Sequence, residues 1–349
     1  MDLSNYRTLG HSGLIVSPMA LGSMTFGTDR WGASDAGARA IFNNYVECGG
    51  NFIDTAEIYS GGASETMLGR FIAERNLRNR LVVGTKFAWN QDSGNPNAGG
   101  NGRKNIVRAL EGSLARLGTD YVDLYWLHFW DMVTPVEEVL ETLVSLVRAG
   151  KTRYFALSDV PAWYATKMAV LAAERCLPGP IAIQTEYSLV ERTAEQEHVP
   201  AARETGMAIM PWSPLAGGFL TGKYRKENSG TTGEGRLAGA NPFGDTKFND
   251  RNWAILDALR DVSNKLGCLP ADVALAWTLA RPGVGSVLVG ASRPEQLEAN
   301  LAALSLSIPE EHLRALDVAS ALPSAFPYSG FSNGVKRSIF GDTEVEAWR

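Results

Sequence analysis

Apolar residues along the chain follow two alternating patterns. Short runs rich in β-branched and aromatic residues are typical of buried strands, and they alternate with longer stretches in which apolar residues recur every three or four positions. The runs that predict strands span residues 20–22, 51–55, 80–85, 122–128, 153–157, 181–184, 208–212 and 286–289. The helical pattern is clearest over residues 105–117 and 136–148. Glycines that can end helices in the left-handed conformation lie at Gly49, Gly118, Gly150, Gly206 and Gly267.

This alternation of strands and helices predicts a parallel sheet that is covered by helices. Eight such units favour a closed (β/α)8 TIM barrel over an open doubly wound sheet, which usually has fewer strands. No Gly-x-Gly-x-x-Gly turn follows the first strand, which also argues against the open sheet. We expect an N-terminal β-hairpin over residues 6–9 and 14–16, an additional helix over residues 309–319, and one barrel domain over residues 1–349.

Two segments interrupt the alternation, and both belong to extended loops in the C-terminal half. Residues 216–248 are rich in Gly, Asn, Thr and Pro, and a loop of this length in a compact domain is usually functional, often as a lid. The tail from Pro323 carries Ser, Gly, Pro and aromatic residues. We expect the tail to cover the barrel mouth or to be partly disordered. The helices after residues 159–161 and 292–294 are expected to begin on a capping side chain or a proline.

Composition excludes several classes of function. The 349 residues carry a net charge of −5 without a local run of Lys or Arg, which argues against nucleic-acid binding. We expect no membrane span and a cytoplasmic location, because neither an uninterrupted apolar stretch of about 20 residues nor a signal sequence is present. The isolated Cys48, Cys176 and Cys268 predict neither a disulfide framework nor a zinc site. A homo-oligomer is compatible with the sequence.

Ionisable residues follow three neighbouring predicted strands, at the barrel end where active sites lie. Asp54, Lys86 and His128 each come after an apolar run, and Tyr59 stands five residues beyond Asp54. Singly, each would more often be a capping, ion-pairing or packing residue. Together, at one end of adjacent strands, the four predict a catalytic site.

The same residues lie in sequence blocks that resemble the aldo-keto reductase family. Residues 51–59 read NFIDTAEIY and are followed by GASE at 62–65. Further similar blocks are GTK at 84–86, DLYWLH at 123–128, GKTRYFALS at 150–158 and PWSPLAGGFLTGKY at 211–224. The resemblance covers residues 6–304. The family that it points to is related to reductases that are similar to potassium-channel β subunits. It implies an NAD(P)(H)-dependent oxidoreductase that acts on a small carbonyl or alcohol substrate.

The resemblance also implies a role for each of the four residues. Tyr59 would donate a proton to the carbonyl oxygen as hydride reaches the carbon. Lys86 would lower the pKa of Tyr59 from its ordinary value of about 10, and Asp54 would hold Lys86 by an ion pair. His128 would orient the carbonyl and stabilise the charge that develops on its oxygen.

Cofactor contacts carry over from the same blocks. Trp212 would stack on the nicotinamide, and Arg293 would bind a 2′-phosphate, which favours NADPH/NADP⁺ over NADH although NADH stays an alternative. The N-terminus of the helix over residues 294–303 could bind a phosphate. The simpler alternative is a capped helix next to an Arg side chain that is in contact with solvent. The full predicted set is Gly22, Met24, Ser158, Asp159, Gln184, Trp212, Ser213, Leu215, Gly217, Lys223, Gly290, Ser292, Arg293, Gln296 and Asn300.

Asp159 departs from the family, which often has Asn after the serine of this block. An ionised Asp accepts hydrogen bonds only, so Asp159 would hold the NH2 of the nicotinamide carboxamide. The carboxamide oxygen would be left to Ser158 or Gln184. The negative charge of Asp159 would also favour the oxidised nicotinamide.

Aromatic residues crowd the predicted mouth, and as a group they predict an apolar substrate pocket. The pocket candidates are Trp31, Trp89, Phe129 and Trp130, with Phe26 and Phe87 nearby.

Two other functions remain open at this stage. One is a nicotinamide-binding regulatory or accessory subunit with little turnover. The other is a metal-dependent hydrolase that uses Asp54 and His128, which the absence of His-x-His or His-x-x-x-His spacing disfavours. The catalytic hypothesis therefore includes no metal.

Overall fold

Eight parallel strands form a nearly closed barrel in the computed structural model, which describes residues 2–28, 32–227, 230–232, 235–237, 247–323 and 325–346. The described residues contain twelve strands, eight in the barrel and four in two antiparallel pairs: β1 (Arg7–Thr8), β2 (Ile15–Val16), β3 (Met19–Gly22), β4 (Phe52–Asp54), β5 (Val82–Phe87), β6 (Val122–Leu127), β7 (Thr152–Ser158), β8 (Ala182–Glu186), β9 (Ala208–Trp212), β10 (Arg225–Glu227), β11 (Gly230–Thr232) and β12 (Val287–Gly290). The barrel order is β12-β3-β4-β5-β6-β7-β8-β9. The prediction of a (β/α)8 barrel is confirmed.

The two ends of the barrel sheet meet beside β9. Ile209 donates its main-chain N–H to Gly283 at 2.8 Å and accepts one from Gly285 at 2.9 Å, just before β12 begins. These bonds use main-chain groups that an open sheet edge would leave unpaired.

Helices follow the barrel strands and pack around the barrel, except for the last helix in the chain, which is exposed. They are α1 (Asp35–Glu47), α2 (Ala63–Glu74), α3 (Arg103–Leu117), α4 (Val136–Arg148), α5 (Ala162–Glu174), α6 (His198–Thr205), α7 (Asp250–Leu266), α8 (Pro270–Leu279), α9 (Pro294–Ala302), α10 (Glu310–Ala319) and α11 (Asn333–Ile339). In α4, Val139, Leu140 and Leu143 are fully buried, as the three-and-four spacing predicts. The five predicted glycine caps all have φ between +63° and +86°.

Side-chain alternation divides each barrel strand between two cores. In β5, Val82 packs inside the barrel, whereas Val83 and Phe87 pack outward against the helices. Successive strand residues face opposite sides, so Lys86 has the inward parity of Val82. Asp54, Ser158, Gln184 and Trp212 lie two residues beyond interior residues of their strands, so their side chains also face the barrel mouth.

The hairpin of β1 and β2 closes the opposite end of the barrel. Leu9, Leu14 and Val16 are buried in the interior cluster together with Phe52 and Trp126. Apolar side chains fill the barrel from this end upward. Polar side chains therefore have room only at the carboxyl ends of the strands.

The structure differs from the predicted boundaries at β5. The expected strand at residues 80–85 begins later, because Arg80 belongs to a 3-10 turn (Arg78–Arg80), and it continues to Phe87. Lys86 therefore lies within the strand, and its main chain pairs with Trp126 of β6. The side chain is thereby held by two neighbouring strands.

The two irregular segments contain more structure than their composition predicts. After β9 come a 3-10 turn (Ala216–Thr221) and the antiparallel pair of β10 and β11, while residues 238–246 of the predicted lid lie outside the described residues. The tail has a turn (Tyr328–Gly330) and the exposed helix α11. None of its described residues lines the barrel mouth, so the expected cover is not formed by residues 325–346.

Among the described residues, none of the helices combines the length and the apolar character that a bilayer crossing requires.

Gly206 offers a test of the closure at the hairpin end. Its φ is +77°, it accepts the main-chain N–H of His11, and a Cβ there would lie 2.6 Å from the His11 ring. Gly206→Ala should therefore cost more than the 1–2 kcal/mol roughly expected for left-handed strain, because the hairpin must also shift. The free energy of unfolding in urea measures this loss.

Gly267→Ala is the matched control. Gly267 also ends a helix, with φ +66°, but a Cβ there would meet nothing within 4 Å. Equal losses of stability in the two variants would contradict a specific contact between the hairpin and residue 206.

Candidate active site

The barrel mouth opens into an elongated cavity of about 1580 Å³. Three of the four predicted catalytic residues line it, namely Asp54, Tyr59 and His128, and Lys86 lies directly beneath. The predicted cofactor residues that also line it are Gly22, Met24, Asp159, Gln184, Trp212, Ser213, Leu215, Gly217, Lys223, Gly290, Ser292, Arg293, Gln296 and Asn300. Ser158 is buried below the lining.

Lys86 is the centre of the polar cluster at the base of the cavity. Its side chain is fully buried, and its ammonium forms an ion pair with the equally buried carboxylate of Asp54. The ammonium also donates to the carbonyl oxygen of Thr55 at 3.1 Å and to the hydroxyl oxygen of Tyr59 at 3.2 Å. An ammonium has three protons to donate, so these partners satisfy it.

A tight turn after β4 brings Tyr59 over this ammonium. Tyr59 begins a 3-10 turn in which Ser60 and Gly61 have φ of +49° and +60°. The hydroxyl of Ser60 donates to the carbonyl oxygen of Phe26 at 2.8 Å, which holds the turn against the loop after β3. The Tyr59 ring consequently lies with its centre 5.0 Å from the Lys86 nitrogen.

His128 faces Tyr59 from the end of β6. Its main-chain N–H donates to the carbonyl oxygen of Phe87 at 2.9 Å, and its ring meets the Tyr59 ring edge-on with centres 5.8 Å apart. Within the described residues, the buried Nδ1 atom has no hydrogen-bond partner. A proton on Nδ1 would be left unsatisfied, so this environment favours a proton on Nε2.

The electrostatics correct one expectation about Tyr59. Burial raises the pKa of Tyr59 above its ordinary value of 10.0; the ammonium of Lys86 lowers it, but Asp54 opposes that effect. The net direction of the pKa shift is thus the reverse of the predicted lowering, because burial of the phenol outweighs the effect of the Lys86 ammonium. Tyr59 is held protonated at neutral pH.

The other two bases of the cluster have clear charge states. Burial alone would lower the pKa of Lys86, but Asp54 and then Tyr59 raise it above the ordinary range, so Lys86 is cationic. Burial and the nearby Lys86 keep the pKa of His128 well below its usual 6.5. His128 is therefore neutral.

Asp54 is held from its other side as well. Gln184, on the inward row of β8, donates from Nε2 to Oδ1 of Asp54 at 3.3 Å. Burial raises the pKa of Asp54, whereas Lys86 and Gln184 act against that rise.

Within the described residues, no three His, Cys, Asp or Glu side chains are grouped to hold a metal ion.

Main-chain atoms form one wall of the cavity. Gly22 of β3 and Gly290 of β12 are paired in register at adjacent strand ends, and both line the cavity. A Cβ at Gly290 would have only the Thr25 methyl group within 4.0 Å, so it would project into the open space. A flat or extended ligand can approach the main chain here.

The far end of the cavity is cationic. Lys223 and Arg293 both line it, and partial burial together with the charge of Arg293 lowers the pKa of Lys223. Arg236 also lines this end, although the sequence analysis did not select it. The only available sequence signal was a lone Arg in a glycine-rich loop.

The start of α9 presents polar groups to this end. Gln296 accepts from the main-chain N–H and the hydroxyl of Ser292 at 2.8 and 2.9 Å, and Asn300 donates to the carbonyl oxygen of Gly290 at 3.4 Å. Arg293 is the residue before α9, and Pro294 is its first residue. The prediction that this helix begins with a proline is therefore confirmed, and the side chain of Arg293 does not cap it.

The aromatic candidates separate into three groups. Trp89 and Phe129 line the mouth, with ring centres 5.7 Å apart, and Trp89 meets the His128 ring edge-on at 6.2 Å. Trp130 is not part of the described lining and packs on Trp163 and Tyr164 instead. Phe26 and Phe87 are fully buried in the outer core, and Trp31 lies outside the described residues.

Two acidic residues that line the cavity were not foreseen. Glu186 is the last residue of β8, and Glu191 lies in the segment that follows. Lys247 forms an ion pair with Glu186 at 2.8 Å, which ties the segment before α7 to the end of β8. The pairing joins residues 61 positions apart, so no local pattern could have shown it.

Comparison with known proteins finds a family model and several relatives that each match most of the chain. A family model described as the aldo/keto reductase family matches residues 18–321. An uncharacterized oxidoreductase of Bacillus subtilis is 36% identical, covering 89% of this chain and 94% of that protein. An aryl-alcohol dehydrogenase [NADP(+)] of Phanerodontia chrysosporium is 31% identical, covering 97% and 91%. A probable voltage-gated potassium channel subunit beta of Oryza sativa is 35% identical, covering 86% and 91%.

The buried ion pair itself makes a testable prediction about stability. Lys86→Met would leave the carboxylate of Asp54 buried without its cation, at a cost of about 3–5 kcal/mol near neutral pH. The folded-state pKa of Asp54 would rise further, so this variant should lose stability as the pH increases from about 4, the ordinary range of a carboxyl group. Urea unfolding at several pH values measures this dependence.

The double variant Lys86→Met with Asp54→Asn is the control, since it removes both charges. It should regain most of the lost stability and be insensitive to pH over this range. A double variant as unstable as Lys86→Met alone would show that shape, and not the unpaired charge, causes the loss.

Proposed function

This chain belongs to the aldo/keto reductase family, and on that premise we propose that it is an NADP(H)-dependent oxidoreductase that interconverts a carbonyl and an alcohol. The observation that carries the proposal is the contact of the buried Lys86 with both Asp54 and the hydroxyl of Tyr59 at the cavity base. The hydride chemistry would be supplied by the nicotinamide cofactor.

Tyr59 is the proton donor in the direction of reduction. As the carbonyl carbon gains hydride, the carbonyl oxygen takes the phenolic proton of Tyr59, which gives a neutral alcohol. The Tyr59 phenolate left behind faces the ammonium of Lys86 and recovers its proton from solvent. Alcohol oxidation runs the same proton path backward.

His128 holds the carbonyl oxygen while this transfer occurs. A proton on Nε2 can be donated to that oxygen, and a neutral ring does not compete with Tyr59 as the acid. The low pKa of His128 keeps it in this state throughout the neutral range.

The residues of the elongated cavity fit an NADP(H) molecule. The glycine wall at Gly22 and Gly290 leaves room for a flat ring system and a sugar, next to Trp212. The cations Lys223, Arg293 and Arg236 at the other end match phosphate groups. Arg293 and the start of α9 would receive the 2′-phosphate.

The substrate class that best fits the mouth is an aromatic aldehyde or ketone. Trp89 and Phe129 contact each other at the mouth and form one aromatic surface, which reaches His128 through the Trp89 ring. A flat aryl group can pack against this surface while its carbonyl reaches Tyr59. A relative named as an aryl-alcohol dehydrogenase points to the same class.

A second candidate function is a nicotinamide-binding accessory subunit with little turnover, which the likeness to a potassium channel subunit beta supports. The two functions differ in repeated turnover. Protein loaded with NADPH and supplied with excess aldehyde and free NADPH should complete many cycles if it is an enzyme. Oxidation of only the bound cofactor would favour the accessory function.

The proposal is tested directly with Tyr59→Phe. Loss of the proton donor should lower kcat for NADPH-dependent reduction of aryl aldehydes by about two to four orders of magnitude. NADPH absorbance reports the rate, and the NADPH dissociation constant should change little.

Tyr164→Phe is the matched control for that substitution. Its hydroxyl is buried without a partner among the described residues and lies outside the cavity lining, so its removal should leave activity intact. A Tyr59→Phe protein as active as this control would refute the role of Tyr59.

Arg293→Leu tests the preference for NADP(H). Loss of a charge-assisted contact to the 2′-phosphate costs about 2 kcal/mol, which should raise the KM for NADPH on the order of 30-fold and leave that for NADH within about threefold. Steady-state kinetics with both cofactors give the comparison, and the exposed Arg314→Leu on α10 is the control. An equal loss with both cofactors would mean that Arg293 binds a group which they share.

A further inference from the structure

We propose that Asp159 is a positioning residue that orients the indole of Trp212 and thereby sets the affinity for the nicotinamide cofactor. The indole Nε1–H of Trp212 donates to Oδ1 of Asp159 at 2.9 Å. Both residues line the cavity. The consequence for affinity rests on the proposed function, whereas the contact between the two side chains does not.

Trp212 needs an anchor because of its place in the barrel. It is the last residue of β9, paired in register with Glu186, and follows Ala208 and Met210 on the inward row. Those two residues are packed in the interior, but the Trp212 ring lies above them, against the open cavity. A hydrogen bond at the edge of the indole restricts rotation of a ring that has one open face.

Asp159 is placed for this contact by its own main chain. Its φ is +46°, a left-handed conformation that Asp and Asn tolerate better than most residues. Its main-chain N–H donates to the carbonyl oxygen of Gln184 at 3.0 Å, which joins the end of β7 to β8. The helix α5 begins after Pro161, which is its N-cap residue, so the Asp159 carboxylate does not cap the helix and instead faces Trp212.

Asp159 was expected to hold the NH2 of the cofactor's carboxamide, whereas its Oδ1 accepts from the indole of Trp212. In this proposal the carboxylate acts on the cofactor through the Trp212 ring. Asn can also accept from an indole N–H, so an Asn at this position would preserve the function, whereas Ala would not.

Several charged groups surround Asp159 and determine its ionisation. Burial raises the pKa of Asp159 to about 6; the bond from Trp212 lowers it, the carboxylate of Glu186 on β8 raises it, and Lys86 on β5 and Ser158 lower it. Tyr59 lies close enough for the Asp159 charge to act on it. His198 on α6 contacts the carbonyl oxygen of the adjacent Val160 at 2.8 Å.

The first experiment is a double-mutant cycle on NADPH binding, followed by the fluorescence of the bound nicotinamide. Asp159→Ala should weaken binding about tenfold or more, and Asp159→Asn should stay within about threefold. In a Trp212→Phe background, which keeps a ring but removes the donor, Asp159→Ala should change binding less than twofold. Trp163→Phe, on the exposed face of α5, is the control and should bind normally.

The second experiment detects the contact without any cofactor. In protein labelled with ¹⁵N at the indole nitrogens, the Trp212 resonance is identified by its loss in Trp212→Phe. In the wild type it should shift with a midpoint near pH 6, the pKa of Asp159. The shift should vanish in Asp159→Asn and persist in His198→Asn.

The outcomes separate the two levels of the proposal. A Trp212 resonance that is unchanged by Asp159→Ala, or that still titrates in Asp159→Asn, would overturn the contact. Full additivity in the binding cycle would overturn the positioning role and favour direct contact between Asp159 and the cofactor. Failure of the wild type to bind NADPH would refute the proposed function alone, since the resonance would still report on the pair.

Discussion

The ion pair between Lys86 and Asp54 is the interaction on which the candidate active site depends. Transfer of two opposite charges from water to a protein interior costs several kcal/mol per ion unless close partners compensate for the lost hydration. Here the compensation is nearly complete, because Lys86 donates to Asp54, Thr55 and Tyr59, and Asp54 also accepts from Gln184. Lys86, Asp54 and Gln184 lie on β5, β4 and β8, and Tyr59 lies in the turn after β4. Folding of the barrel therefore brings elements that are far apart in the chain together around the buried pair.

The two ends of the barrel differ for a related reason. At one end the hairpin and large apolar side chains such as Trp126 exclude water, which leaves no place for an unpaired charge. At the other end the inward rows of β4 and β5 finish on Asp54 and Lys86, which pair with each other, and Gln184 of β8 donates to Asp54 across the mouth. Closure of the sheet at Ile209 brings the first and last strands together, so the glycine wall of β3 and β12 joins the polar cluster in one cavity.

Charge is distributed unevenly along this cavity, and the distribution gives each part a chemical character. The cations lie at the α9 end, the catalytic candidates lie in the middle, and the aromatic rings of Trp89 and Phe129 lie at the mouth. A long, polyanionic cofactor and a flat apolar substrate would thus meet above Tyr59. The Asp159–Trp212 contact stands at this junction.

The sequence by itself determined the barrel and the placement of its polar rows. Asp54 and Lys86 each follow an apolar run, so they could be assigned to the carboxyl ends of neighbouring strands, and hence to one end of the barrel, without a structure. The sequence also predicted local backbone conformation, since all five predicted glycine caps have left-handed φ. These features depend on residues close together in the chain.

Only the tertiary structure decided the environments of those residues. The pKa of Tyr59 depends on burial and on the opposing charges of Lys86 and Asp54, so its direction could not be obtained from the Lys alone. Trp89 and Trp130 look alike in sequence, yet one lines the mouth and the other packs beside α5. The partner of Asp159 lies 53 positions away, on another strand end. Burial, electrostatics and contacts of this kind are set by distant elements, whose approach is fixed by packing and not by local pattern.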